Sequence, residues 1–251
     1  MLLVVNIGNT NIRLGVFQEN QDIITWILDS KSDWTKEKLQ EEFNRTYKLY
    51  SIDKHEITSI TIGSVVPLWT EKVADALEEI HHQKPFIVTN ATPSFVQHSS
   101  PQMGTDLYAN AVAAQTFYQG KKLVVDFGTA LTFIGIDENG KILGVTITTG
   151  VVTAMNALVK GTAQLQEIEF TAPKKVLGKD TISCIQSGII YGYLSMVEGM
   201  IDRINNELNS ECTVIATGGM SLIFKPLTNK IHYVDQLHTL KGIAELYYQN
   251  H

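Results

Sequence analysis

Two short polar turns carry the residues best suited to chemistry. The first reads Asn6-Ile7-Gly8-Asn9-Thr10-Asn11 and runs on through Ile12 and Arg13; the second reads Asp126-Phe127-Gly128-Thr129 and runs on to Thr132. Each follows an apolar β-branched run, Val4-Val5 or Val124-Val125, and precedes a second apolar run that closes on Gly15 or Gly135. That pattern predicts a β-hairpin whose turn carries polar groups. Glycine lets such a turn bend tightly and brings backbone N–H groups close to an anion, while Thr and Asn side chains add donors. Taken singly, each turn reads as an ordinary hairpin. The shared offset of 120 positions through Gly8/Gly128 and Gly15/Gly135 argues instead for a duplicated domain, each half bringing one phosphate-gripping hairpin.

Two further features join them. Thr217-Gly218-Gly219 follows a late apolar run and suits the nucleoside part of a nucleotide. Gly104-Thr105-Asp106 opens an Ala-rich helix. A carboxylate there reads first as a helix cap worth about 1 kcal/mol and second as a base for a hydroxyl proton. No G-x-x-x-x-G-K-[ST] is present, because Gly120-Lys121, Gly140-Lys141 and Gly178-Lys179 all lack the following Ser or Thr, and a P-loop enzyme is excluded. His81, His82 and His98 have no metal-ligand spacing and read as solvated surface.

The elements that must position these groups follow from periodicity. Strands are expected at 2–8, 12–17 and 23–28, a helix at 34–49 capped by Thr35, a strand at 57–66, a helix from Pro67 to Ile80 and a strand at 85–88. A polar loop at 89–101 leads into the helix at 104–118. The order β-β-β-α-β-α-β-α is that of a ribonuclease-H-like unit. From Lys121 it begins again, with strands at 123–127, 131–136 and 141–146, helices at 151–158 and 182–209, a strand at 212–216 and a last helix at 240–249. Met196, Val197 and Met200 on the long helix read as core or dimer contacts.

A chain of 251 residues, 44% hydrophobic, can bury a substantial core and fits two domains near the usual size. Its net charge is −6, with no run of Lys or Arg longer than two; neither nucleic acid nor an anionic membrane is an expected partner. The opening Met-Leu-Leu-Val-Val is too short for a signal sequence, and there is no apolar stretch of the roughly 18 residues a membrane span needs. Cys184 and Cys212, two unclustered thiols, fit small core residues in a reducing cytoplasm.

Together, the first turn, Met103-Gly104-Thr105-Asp106-Leu107, the run from Val124 to Phe133 and Gly178-Lys-Asp-Thr-Ile-Ser-Cys-Ile-Gln-Ser-Gly resemble type III pantothenate kinases, of the actin/hexokinase/Hsp70-like superfamily. The likeness covers nearly the whole chain. It implies an α/β fold of two ribonuclease-H-like domains of the actin-like ATPase superfamily, 1–119 and 120–251, related by duplication and enclosing an ATP site. By the same resemblance Asn6, Ile7, Gly8, Asn9, Thr10, Asn11, Ile12 and Arg13 form the ATP phosphate segment, and Thr129 is a second ATP contact. Gly104, Thr105, Asp106 and Leu107 would bind pantothenate, with Asp106 as proton acceptor and Thr181 as a further contact. Asp126 would be the ligand of a monovalent cation, K⁺ or NH₄⁺, with Mg²⁺ accompanying ATP. Family members are homodimers, and the 182–209 helix would take part in pairing.

The chain departs from the family in four places. Asn6 replaces the usual Asp and Leu107 the usual Arg. The Gly-Gly-x-Ile-x-Pro-Gly pattern becomes Gly144-Val145-Thr146-Ile147-Thr148-Thr149-Gly150, and His98 lies where a Tyr is expected. Losing the Arg removes a bidentate grip on a carboxylate, worth about 1.5–3 kcal/mol. Two rival readings therefore stand beside pantothenate phosphorylation: a kinase for another small hydroxy acid, and a non-catalytic nucleotide-binding regulator that keeps the fold.

Overall fold

The computed structural model describes residues 1–18, 22–30, 33–160 and 168–251. Its apolar β-branched runs become strands. β1 (Leu2–Ile7), β2 (Asn11–Phe17) and β3 (Ile24–Asp29) form an antiparallel meander. The chain then crosses by α1 (Lys36–Leu49) to β4 (Ser59–Ser64), parallel to β1, and by α2 (Pro67–His81) to β5 (Phe86–Val88), parallel to β4. Strand order is β3-β2-β1-β4-β5. Central β1 buries Leu2, Leu3, Val4, Val5 and Ile7, the continuous apolar run that a strand covered on both faces requires.

The helices form where their signals lie. Thr35 caps α1 through its side-chain oxygen, which accepts from the Lys38 N–H at 3.3 Å. Leu39 and Phe43, one helical turn apart, then face the core. Pro67 opens α2 at a position where a missing N–H costs nothing, and Val73, Ala76 and Leu77 pack beneath it. In α3 (Thr105–Phe117) every residue from Tyr108 to Ala114 is buried, the polar Asn110 among them, as expected of a helix enclosed on all sides.

The second half repeats the order. β6 (Lys122–Phe127), β7 (Ala130–Ile136) and β8 (Ile142–Thr149) form a meander, followed by α4 (Val151–Lys160) and the long α5 (Thr181–Glu207). β9 (Thr213–Thr217) returns parallel to β6, and a short α6 (Ser221–Phe224) leads to β10 (Tyr233–Val234). The order β10-β9-β6-β7-β8 matches the first sheet strand for strand. Residues 1–10 and 121–130 also show the same succession of buried, half-buried and exposed positions. The two-residue β10 and α6 lie below what periodicity resolves.

The compact units are 1–116 with 238–251, and 117–237. The final helix, α7 (His238–Tyr248), which chain order places with the second half, packs on β1, β4 and β5 of the first sheet. Its Gly242 lies so close to α3 that an added Cβ would fall 1.9 Å from the Ala109 carbonyl oxygen. Two side chains also differ from expectation. Cys184 is exposed and only Cys212 is core. His81 is not free surface, because its Nε2 lies 3.0 Å from the Tyr47 hydroxyl and burial pushes its pKa down. On α5, Val197 is fully buried while Met196 faces solvent. Among the described residues no helix is long and apolar enough to cross a membrane.

Candidate active site

In the first unit the bend itself is only Gly8–Thr10, closed by the Gly8 N–H donating to the Asn11 carbonyl at 2.9 Å. Buried Ile7 and Ile12 face one another across the ladder and pin it to the core, leaving Asn9 and Asn11 exposed. Asn6 lies inside β1, paired with Arg13 on β2 and with Gly63 on β4. It is therefore a regular strand residue; among the described residues only Ser51, His82 and Asn209 are non-glycine positions with positive φ. Directly paired residues project from the same face of a sheet, so Asn6 shares its face with the Arg13 guanidinium.

Gly63 links this turn to Asp106. A Cβ there would sit 2.7 Å from Ile243 and 3.4 Å from the Thr105 methyl. The ends of β1 and β4 thus meet the start of α3. The sequence reading missed Gly63, whose signal was a glycine within a strand of Ile and Thr. One residue on, the Asp106 carboxylate turns back over Gly104: Oδ1 accepts from the Leu107 N–H at 2.8 Å, and a Cβ on Gly104 would lie 2.6 Å from it. Burial raises the Asp106 pKa above the ordinary carboxylate range, opposed by the N–H groups of Leu107 and of Asp106 itself. A half-buried carboxylate with a raised pKa is chemically able to take up a proton from a hydroxyl held beside it.

The loop before α3 is fixed from behind. The Tyr108 hydroxyl donates to the Thr92 carbonyl at 2.8 Å and lies 2.7 Å from the Ser94 hydroxyl. The His98 ring packs on Tyr108 with centroids 5.1 Å apart, its nitrogens 2.8 Å from the Asn90 carbonyl and 3.0 Å from that of Ser100. His98, expected at the surface, is a structural strut.

In the second unit the bend is Gly128–Thr129, and Leu131 and Thr132 already belong to β7. Asp126 pairs with Thr132 on one side and Thr217 on the other. Gly218, at φ +84°, lies against the strand end: a Cβ there would come within 2.6 Å of Asp126 Oδ1. The Thr129 carbonyl accepts from the Gly150 N–H at 3.1 Å and the Thr153 hydroxyl at 2.8 Å, tying the turn to the start of α4. A Cβ on Gly150 would strike the Gly128 carbonyl at 2.2 Å, whereas one on Gly144 would meet nothing within 4 Å among the described residues. Thr181 is the first residue of α5 and exposed, behind an Asp180 cap whose Oδ1 accepts from the Ser183 N–H at 2.9 Å.

The structure therefore brings Asn6–Arg13 together with Gly104–Leu107 in one unit, and Asp126 with Gly128, Thr129 and Gly218 in the other. Two units of this strand order, each with a glycine turn closing its first strand, define the two-domain α/β fold of actin-like ATPases and sugar kinases. The activator of 2-hydroxyisocaproyl-CoA dehydratase from Clostridium difficile, solved with bound ADPNP, shares that fold at a TM-score of 0.55 and 10% identity, over 99% of this chain and 94% of its own. The family model for type III pantothenate kinase matches residues 2–203. Type III pantothenate kinases of Syntrophus aciditrophicus and Moorella thermoacetica are 35% and 34% identical, each over 100% of both chains. The chain belongs to the type III pantothenate kinase family.

The contrast between two glycines of one altered motif is testable. Gly150→Ala should lower the stability of the protein by about 3 kcal/mol or more, because its clash is with backbone, while Gly144→Ala should stay within about 0.5 kcal/mol. Urea denaturation of both variants reads the difference, and equal effects would contradict the assigned close approach.

Proposed function

We propose that this protein transfers the γ-phosphoryl group of ATP to the hydroxyl of pantothenate, with Asp106 as the proton acceptor. The observation that carries this reading is the meeting at Gly63 of the Asn6 strand end with the Thr105-Asp106 helix start. The backbone of Gly8–Thr10, with Asn9, Asn11 and Arg13, would hold ATP phosphates, and Thr129 would add a contact. The acceptor hydroxyl oxygen attacks the γ-phosphorus in line, ADP leaves, and the hydroxyl proton passes to the Asp106 carboxylate. Gly104, Thr105, Leu107 and Thr181 would position the acid substrate. The seam of the duplication would fall at 119/120, with α7 returned to the first sheet.

Mg²⁺ would neutralise charge on the transferring phosphate. Among the described residues no three His, Cys, Asp or Glu side chains cluster, which suits an ion held mainly by phosphate oxygens and water. Asp126, its Oδ1 nested against Gly218, would hold K⁺ or NH₄⁺. A homodimer pairing along α5 is supported by open Gly188 and Gly192, exposed Ile182, and a groove of about 500 Å³ lined by Leu177, Cys184 and Tyr191. Two free thiols, one of them exposed, support a cytoplasmic setting.

Asp106→Asn tests the assignment from two sides. Turnover should fall by roughly 10²- to 10⁴-fold, while ATP binding persists and the Leu107 N–H keeps its acceptor. A folded-state pKa raised by burial means that the ionised carboxylate weighs against the fold; its stabilising share is present at low pH and lost as pH rises through that pKa. The variant should therefore melt above wild type at neutral pH, with the gap closing in acid. Wild-type turnover should decline on acidification around a pKa above the usual Asp range. Full activity in Asp106→Asn would remove Asp106 from the chemistry.

The neutral Asn6 should weaken use of the divalent ion. Asn6→Asp is expected to lower the Mg²⁺ concentration for half-maximal rate with little change in pantothenate affinity, since a carboxylate suits this hard cation better than an amide. Overlapping Mg²⁺ titrations would leave Asn6 a strand residue without a metal role. Binding of ATP without turnover in either protein would favour the regulator.

A further inference from the structure

Thr132 stands beside Asp126 with a hydroxyl that has no use in the fold. Thr132 is 8% exposed, and its buried Oγ1 has no hydrogen-bond partner among the described residues. It is the direct antiparallel partner of Asp126, and such pairs project from the same face with Cβ atoms about 4.5–5.5 Å apart. Ser30 and Thr61 also have unpartnered buried hydroxyls; Thr132 differs in facing a carboxylate across one rung of the ladder. Valine would fill a buried strand position without leaving a polar atom unsatisfied.

The surroundings of Asp126 are shaped as a cradle. Ideal Cβ atoms on Gly128 and Gly218 would lie 3.4 and 2.6 Å from its Oδ1, so any side chain at Gly218 would fill the space beside the carboxylate. Among the described residues Asp126 belongs to no group of three or more His, Cys, Asp or Glu side chains, which suits a singly charged ion better than a divalent one that draws on several carboxylates. A hydroxyl oxygen has two lone pairs, enough to coordinate an alkali cation or accept a hydrogen bond from ammonium.

We propose that Thr132 Oγ1 is a ligand of the monovalent cation, completing with the Asp126 carboxylate a site built across β6 and β7. This rests on the reading of Asp126 as a cation ligand. The hydroxyl is left unsatisfied by the protein because the ion satisfies it. Thr132 then sets the cation affinity and Asp126 supplies the charge.

The test is thermal melting of the full chain in potassium, sodium and choline chlorides at equal ionic strength, with and without ADP. Wild type should gain stability from potassium beyond that from choline, and Asp126→Asn should lose this gain. Thr132→Val and Thr132→Ala, both without the hydroxyl, should need roughly 10-fold or more potassium for the same gain, as when a metal site loses a supporting group. Thr132→Ser should keep the wild-type response. In choline, Thr132→Val should melt at or above wild type, because it removes an unsatisfied hydroxyl. A potassium response unchanged in Thr132→Val and Thr132→Ala would overturn the role of Thr132 and leave that of Asp126 standing. A wild type indifferent to potassium, with and without ADP, would overturn both.

Discussion

The fold depends on backbone meeting backbone at a few points where no side chain fits. At Gly150 and Gly218 an added carbon would lie 2.2 and 2.6 Å from atoms of the second turn and its carboxylate, and at Gly242 1.9 Å from a carbonyl of α3. Gly63 plays the same part between the first sheet and the start of α3, with side chains as its neighbours. Interiors pack too tightly to absorb even a methyl group against backbone. These contacts set where each turn and each helix start lies, and through them where Asn6, Asp106 and Asp126 point.

The duplication keeps the geometry and exchanges the charge. Asn6 and Asp126 occupy the same place, 120 residues apart, one position inside the end of the first strand of each sheet. Their ladder partners differ: Asn6 faces Arg13, whereas Asp126 faces Thr132. The first pair therefore offers net positive charge and the second net negative. A single hairpin scaffold can serve a polyanion in one copy and a cation in the other, because strand pairing fixes only the backbone and leaves the paired side chains free to diverge. Asp106 is desolvated where it turns back over Gly104, which raises its pKa and is tolerated because two N–H groups offset part of the cost.

Most of the strands and helices were legible because their signals are local. The runs at Val4-Val5 and Val124-Val125, the Thr35 cap and Pro67 each mark an element within a few residues. The docking of α7 was not legible, since contact between residues as distant as Gly242 and Ala109 leaves no periodic trace. In the site, the residue types at Asn6, Asp106 and Asp126 could be read directly and matched to the family. Gly63, Tyr108 and the unsatisfied hydroxyl of Thr132 could not, because their significance lies in what stands across a strand or loop from them. His98 was misread for the same reason: a histidine held by two backbone carbonyls looks, in sequence, like one in solvent.

The reaction proposed for this site is transfer of phosphate from ATP to the hydroxyl of pantothenate. It is tested most directly by incubating the protein with ATP, Mg²⁺, potassium or ammonium, and pantothenate, and following phosphorus by NMR with mass spectrometry of the product. ADP and 4′-phosphopantothenate should form in equal amounts, with no ADP formed when pantothenate is omitted. ADP release that ignores pantothenate, or a phosphate ester found only on a different hydroxy acid, would contradict it.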